Sequence, residues 1–243
     1  MMEKTVSDAI NFRRSIRVYK DLKIESSKVV NCLKNASIAA TSSNLQLWEF
    51  YHVTSQKKMD ELSVACFSQS AAKTAQQFVV FVSRKDLWKK RSLANIEFVN
   101  KSFDKPNLDA RLLKRKKQVN TYYKKIIPGV YSDFLGILGL LKYIVCYFIG
   151  FFRPIYRQTR LSDMRIVAHK STALAAQNFM ISMSAIGYDT CPMEGFDSKR
   201  VKQILGLPKS AEVTMVVSCG IREETGVFGP RFRVPFNEVC FSV

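Results

Sequence analysis

Histidine is nearly missing from this chain: His52 and His169 are the only two in 243 residues. A histidine-built zinc site or a Ser/His/Asp triad therefore has little material. Glycine and proline are sparse, at 10 and 7, which argues against low-complexity tracts and long flexible linkers. No internal repeat is visible. The six cysteines (32, 66, 146, 191, 219 and 240) form no CxxC pair. Several sit in apolar runs, so they read as reduced, buried thiols and not as a disulfide frame. There is no GxGxxG, hence no Rossmann fingerprint. Met1-Met2-Glu3-Lys4-Thr5 lacks the apolar run of a signal peptide, so the expected location is the cytoplasm. Acid is the scarcer charge, 20 Asp and Glu against 38 Lys and Arg, for a net +18.

What is present is a core and a strongly basic middle. A hydrophobic content of 47% over this length suffices for one compact domain carrying a sizeable excursion. Between Arg84 and Arg160 stand 18 Lys and Arg against 5 Asp and Glu, which places +13 of the +18 in that third. The basic character belongs to this segment, and it suits an anionic surface as partner.

Thr5 followed by Asp8 reads as a capping box opening a helix to about Phe12. Val29, Leu33, Ala36 and Ala40 recur at helical spacing, predicting a helix over 25–40. Glu49 to Thr54 reads as a short strand, and 57–66 as helix. Phe78 to Ser83 is a continuous apolar strand, hence central, and Val213 to Ser218 is another. Met164 to Ile186 carries the clearest helical pattern. Asp197 to Leu205 reads as a short helix stopped by Gly206-Leu207-Pro208. Helices around a small sheet make the expected class α+β.

The middle segment differs. Residues 107–125 are basic, and Phe134 to Phe152 is apolar all round, with Lys142 its only charge. Nineteen helical residues would reach about 28 Å, close to the ~30 Å of a bilayer core. Three arrangements are open: a helix buried at an interface or over a ligand, a helix lying on a membrane surface, and a single crossing. Arg153, Arg157 and Arg160 follow at once, so polybasic stretches flank the apolar run, as in surface-bound helices. The Lys114–Lys117 run carries no nucleic-acid reading motif, and no nucleic acid is expected.

Arg13-Arg14-Ser15-Ile16-Arg17 gathers three guanidiniums and a hydroxyl, donors that match phosphate oxygens. Four segments accompany it: Ala40 to Trp48 with Ser42, Ser43, Asn44 and Gln46; Ala176-Gln177-Asn178-Phe179; Gly187 to Asp197; and Gly229-Pro230-Arg231-Phe232-Arg233-Val234-Pro235. In this order and spacing the set resembles the FMN-dependent nitroreductase family, over about residues 5–85 and 165–240. The resemblance implies a single nitroreductase-like domain, 1–243, with helices around a small mixed sheet and a helical excursion at about 88–160. It also implies an intertwined homodimer with two FMN sites at the interface.

Carried onto this sequence, Arg13, Arg14, Ser15 and Arg17 match the phosphate motif. Arg231 and Arg233 match a C-terminal basic pair, so both chain ends would meet on one phosphate. Ser42, Ser43, Asn44 and Gln46 match the polar motif that one subunit lends to the other's flavin; Leu47 stands where proline is usual. Pro192, Met193, Glu194 and Gly195 match the loop whose backbone N–H groups face flavin N5 and O4, a placement that stabilises developing charge. Gln69 and Ser171 are further candidates for ring contacts.

The implied chemistry is ping-pong hydride transfer, from NADH or NADPH through FMN to a nitroaromatic, a quinone or a similar small-molecule acceptor. No side chain is required as a catalyst. Two other readings stay open. One is a flavin-binding or sensing protein at the membrane surface with little turnover. The other is a relative catalysing dehydrogenation, dehalogenation or flavin breakdown. Peripheral contact with the inner face of the membrane would run through 107–160. Cys191 beside the loop carries no sign of activation, and Trp48 reads as packing.

Overall fold

A computed structural model describes residues 3–103, 109–133 and 136–243. Its centre is a four-stranded sheet in the order β1-β2-β4-β3, built from β1 (Trp48–Val53), β2 (Gln77–Ser83), β3 (Asp189–Met193) and β4 (Glu212–Gly220). Every neighbouring pair of these strands is antiparallel. A mixed sheet was expected from the resemblance; the parallel pairing seen among the described residues is the single bridge between Ser15 and Thr190.

The apolar run at 78–82 is explained by burial on both faces. Phe78, Val80 and Val82 pack with Leu62, Ala71 and Val201 from α3 (Gln56–Ala65), α4 (Ser70–Lys73) and α10 (Ser198–Leu205). Val79 and Phe81 face the other way, onto Phe179, Met183 and Val29 from α9 (Leu161–Ala185) and α2 (Ser26–Ser37). Alternate side chains of one strand thus feed two cores. Phe81 lies 5.6 Å from Phe179, ring centre to ring centre, the tilted packing aromatic pairs prefer.

The helix ends follow local chemistry. Thr5 Oγ1 accepts the Asp8 N–H at 3.2 Å and donates to Asp8 Oδ2 at 2.6 Å, opening α1 (Val6–Phe12). Asp197 Oδ1 accepts from the N–H groups of Lys199 and Arg200 at the start of α10. Gly206, at φ 64°, ends that helix in the left-handed conformation glycine tolerates.

The middle segment forms α5 (Trp88–Ser102), α6 (Ala110–Thr121), a π-helical turn at Tyr122–Ile126, α7 (Ile127–Tyr131) and α8 (Ile137–Ile149). Pro128 has no N–H for the Lys124 carbonyl, and its ring crowds that carbonyl; the widened turn just before it makes room. Tyr123, Ile127 and Tyr131 bury against Leu45, Leu47 and Met164, fastening the segment to the sheet body. The ends of the basic and apolar stretches, at 107–108 and 134–135, lie outside the described residues.

The apolar stretch is shorter as a helix than the sequence suggested. Gly136 enters at φ 83° and Gly150 closes it, leaving 13 residues, about 20 Å. No helix among the described residues is long and apolar enough to cross a membrane.

Candidate functional site

The arginine motif is held as an extended segment between two partners. Ile16 N–H donates to the Thr190 carbonyl at 3.2 Å, and Arg17 N–H to Gly226 O at 2.7 Å. Gly226 allows this approach, since a Cβ there would stand 2.4 Å from Val18 O. Ile16 is fully buried, so the side chains on either side of it turn outward.

There they meet the C-terminal segment. Arg231 Nη2 donates to the carbonyls of Asn11 and Arg13, each at 2.7 Å, and Arg14 Nη2 to Gly229 O at 2.9 Å. Arg13, Arg14, Ser15, Arg17, Arg231 and Arg233 line one pocket of about 280 Å³. The two arginine clusters, far apart in the sequence, are thus side by side in the fold. None of these arginines forms a salt bridge among the described residues. Burial, then the charges of Arg231 and Arg233, lower the Arg13 pKa. The pocket is therefore poised for an anion, and a phosphate dianion fits this donor set.

A second piece adjoins it through Gln69. Phe67 and Ser68 hold positive φ, 57° and 50°, at the end of α3, which is strained backbone for non-glycine residues. That turn presents Gln69, whose Nε2 donates to Gly195 O at 2.9 Å while its Oε1 accepts from Arg17 Nη1 at 3.4 Å. Gln69 thus bridges the arginine motif and the Pro192–Gly195 segment. Sequence reasoning placed Gln69 at the site but missed the strained turn behind it.

Pro192 and Met193 were expected in a loop, yet they end strand β3, paired with Val217 and Val216. Proline is tolerated because β3 is an edge strand. Glu194 and Gly195 lie just beyond, exposed, and neither N–H meets an acceptor among the described residues. Those donors are free for a ligand. Cys191 is buried, and burial pushes its thiol up against the opposing pull of Arg17 and Arg13, consistent with an inert thiol.

Ser42–Asn44 and Gln46 form a separate group. Ser43, Asn44 and Gln46 all adopt positive φ, 55°, 49° and 48°. The middle segment grips this turn: Ser43 Oγ and Tyr122 Oη lie 2.6 Å apart, and Tyr123 Oη donates to Ser43 O at 2.9 Å. Asn95 Nδ2 donates to Asn44 O at 3.0 Å while Asn44 Nδ2 donates to Asn95 Oδ1 at 2.9 Å. Ser171, buried, accepts the Ser42 N–H at 3.4 Å, so it positions the turn. Ser42 and Ser43 line a cavity of about 210 Å³ with Tyr122, Tyr131 and Met164, and it shares no residue with the arginine pocket. Within one chain the two groups are not brought together. Asn95, Tyr122 and Tyr123 escaped the sequence reading, because nothing local marks them.

The histidines are satisfied. His52 Nε2 lies 2.7 Å from Gln77 Oε1. His169 lies 2.9 Å from Thr214 Oγ1 and 3.1 Å from Glu212 Oε2. Trp48 is buried and stacks with Phe50. No cluster of three metal-binding side chains occurs among the described residues. A cavity of about 710 Å³ lies elsewhere, beside Tyr19, Lys23, Lys73 and Gln77.

Comparison with known proteins decides the family. The model of the Nitroreductase family matches residues 10–221. The chain belongs to the Nitroreductase family. A protein of Staphylococcus haemolyticus, provisionally named an NAD(P)H nitroreductase, is 24% identical over 92% of this chain and 91% of its own length. Among solved structures, Bacillus subtilis YdfN superposes with a TM-score of 0.72 at 20% identity, covering 98% of each chain. A provisionally named nitroreductase of Exiguobacterium sibiricum, solved in complex with FMN, has a TM-score of 0.68 at 20% identity and covers 100% of this chain and 99% of its own. Family membership places the chain among oxidoreductases, with the nitroreductase α+β fold.

Proposed function

We propose that this chain is an FMN-dependent NAD(P)H oxidoreductase, a single domain with an excursion at about 88–160, acting as a homodimer with two equivalent sites. The observation that carries the reading is the Arg17–Gln69–Gly195 relay. It ties a carboxylate-free arginine pocket to a pair of open backbone donors. FMN has that polarity, a phosphate at one end and a hydrogen-bonding ring at the other. The FMN in the Exiguobacterium structure and the NAD(P)H in the Staphylococcus name agree with it.

Arg13, Arg14, Ser15, Arg17, Arg231 and Arg233 would hold the phosphate. The N–H groups of Glu194 and Gly195 would donate to the ring edge, where added electron density needs stabilising. Gln69 fixes the distance between these two parts. When bound, FMN supplies the two-electron chemistry. That chemistry would join NADH or NADPH, as two-electron donor, to a small acceptor such as a nitroaromatic or a quinone, with the remaining proton drawn from solvent. No general acid from the chain is needed in this scheme, which agrees with the satisfied histidines and the raised Cys191 pKa.

Homodimerisation is supported by the separation of the two groups of site residues. Ser42, Ser43, Asn44 and Gln46 would complete the flavin site of the other subunit. The C-terminal tail also exposes Phe232, Phe236 and Phe241, each more than 70% accessible, as expected of a segment another copy covers.

The test is spectroscopic. Purified protein should be yellow, and anaerobic NADH or NADPH should bleach the flavin band within seconds. Colourless protein that takes up no added FMN would overturn the reading. A flavin that neither nucleotide reduces would indicate a binding protein.

A further inference from the structure

Helix α8 faces the wrong way for water. Buried Gly139 and the partly buried Lys142, Tyr143, Cys146 and Ile149 recur at three- and four-residue spacing and form its inner stripe. A Cβ at Gly139 would stand 3.3 Å from Arg160 Cα, so the helix rests directly on that backbone. The Arg160 guanidinium covers the Tyr143 ring at 3.8 Å. Lys142, the only charge on the helix, donates to the Ser132 carbonyl and so is turned inward. The outer face carries Leu140, Leu141, Ile144, Val145 and Phe148, each 43–59% accessible, and Phe152 just beyond is 90% accessible. A helix that hides its charge and shows aliphatic and aromatic side chains to solvent reverses the usual amphipathic arrangement.

The charges around it select the occupant. Lys124 and Lys125 precede the helix, and Arg153, Arg157 and Arg160 follow it, all exposed. None forms a salt bridge among the described residues. A second copy meeting this face with its own would bring two such cationic rims together, and a twofold contact pairs identical patches. An anionic lipid surface supplies the opposite charge and an apolar layer at once. At 13 residues the helix is too short to span but long enough to lie flat.

We propose that α8, with Phe151 and Phe152, inserts into the headgroup layer of an anionic bilayer, its arginines pairing with lipid phosphates. The proposal stands apart from the flavin reading, since neither its residues nor its readout involve the arginine pocket.

The full chain should co-sediment at low salt with vesicles containing about one third phosphatidylglycerol, and lose most of that binding at about 0.5 M salt or with pure phosphatidylcholine. The double variant Leu141→Glu/Phe148→Glu should bind about tenfold less while its mass in solution stays that of the parent. Phe152→Trp, at a position too exposed to disturb packing, should add a fluorescence component that shifts to the blue with anionic vesicles. Absence of both pelleting and shift overturns the proposal. So does a Leu141→Glu/Phe148→Glu variant that dissociates into smaller species, which would make this face a protein interface.

Discussion

Two sets of arginines in this molecule behave in opposite ways. Arg84 and Arg222 stand among carboxylates: Arg84 bonds Glu49 at 2.5 Å and Asp86 at 2.9 Å, and Arg222 bonds the buried Asp189 at 2.5 Å. Hydrogen bonds to Asp86 and Glu49 push Arg84 up. Arg13 moves down, through burial first and then through its arginine neighbours. Arg14 and Arg231 reach only backbone carbonyls. The first set is complete and holds the fold. The second is held by the fold and waits for an anion. Sequence alone shows where the 38 basic residues fall but not which of them are paired; the partners sort them.

The sharpest way to break this contrast is Arg222→Ala. It strands Asp189, 3% exposed, as an uncompensated buried carboxylate, and should cost about 3 kcal/mol of stability. Urea denaturation measures it; a loss below about 1 kcal/mol would dissolve the distinction. Flavin affinity of the folded fraction should be unchanged.

Arg13→Ala should do the reverse. Removing one of several like charges should leave flavin-free stability equal or slightly higher, while FMN affinity falls about 100-fold, roughly 2.7 kcal/mol. Fluorescence titration with FMN checks the affinity. A destabilised flavin-free protein with unchanged affinity would move Arg13 into the structural set.

A smaller effect extends the contrast to uncharged groups. Asn95→Ala removes both amide bonds to Asn44, and it should cost about 1 kcal/mol and weaken FMN several-fold. Equal affinity in wild type and variant would mean that the Ser42–Gln46 turn needs no support from the middle segment.

Much of this was readable beforehand. The continuous apolar run at 78–83 became the central strand, Asp197 and Gly206 bracket α10, and the two arginine clusters share a pocket. In each case the deciding chemistry is local or strongly patterned. Strand β3 was not legible: Asp189-Thr190-Cys191-Pro192-Met193 has no alternation of its own and contains proline. It is a strand because β4 offers it an edge. Asn95, Tyr122 and Tyr123 likewise acquire their roles from the packing of α5 and the π-helical turn onto Ser43 and Asn44, contacts some fifty to eighty residues apart in the chain. For α8 the pattern gave a helix but no direction. An all-round apolar stretch leaves its inner face undetermined, and Gly139 settles it by allowing close backbone contact.

The arginine pocket also makes the molecule sensitive to supply. Gathering like charges raises the free energy of the folded chain, and a phosphate-bearing ligand that binds only that state lowers it again. At a hundred times its dissociation constant such a ligand adds about 2.7 kcal/mol, a large fraction of what typically separates folded from unfolded protein. The number of native molecules then tracks the ligand that fills them. Because Arg231 bonds Arg13 and Asn11, the pocket cannot form until synthesis has passed Arg231, so the ligand acts only after both arginine clusters have been made.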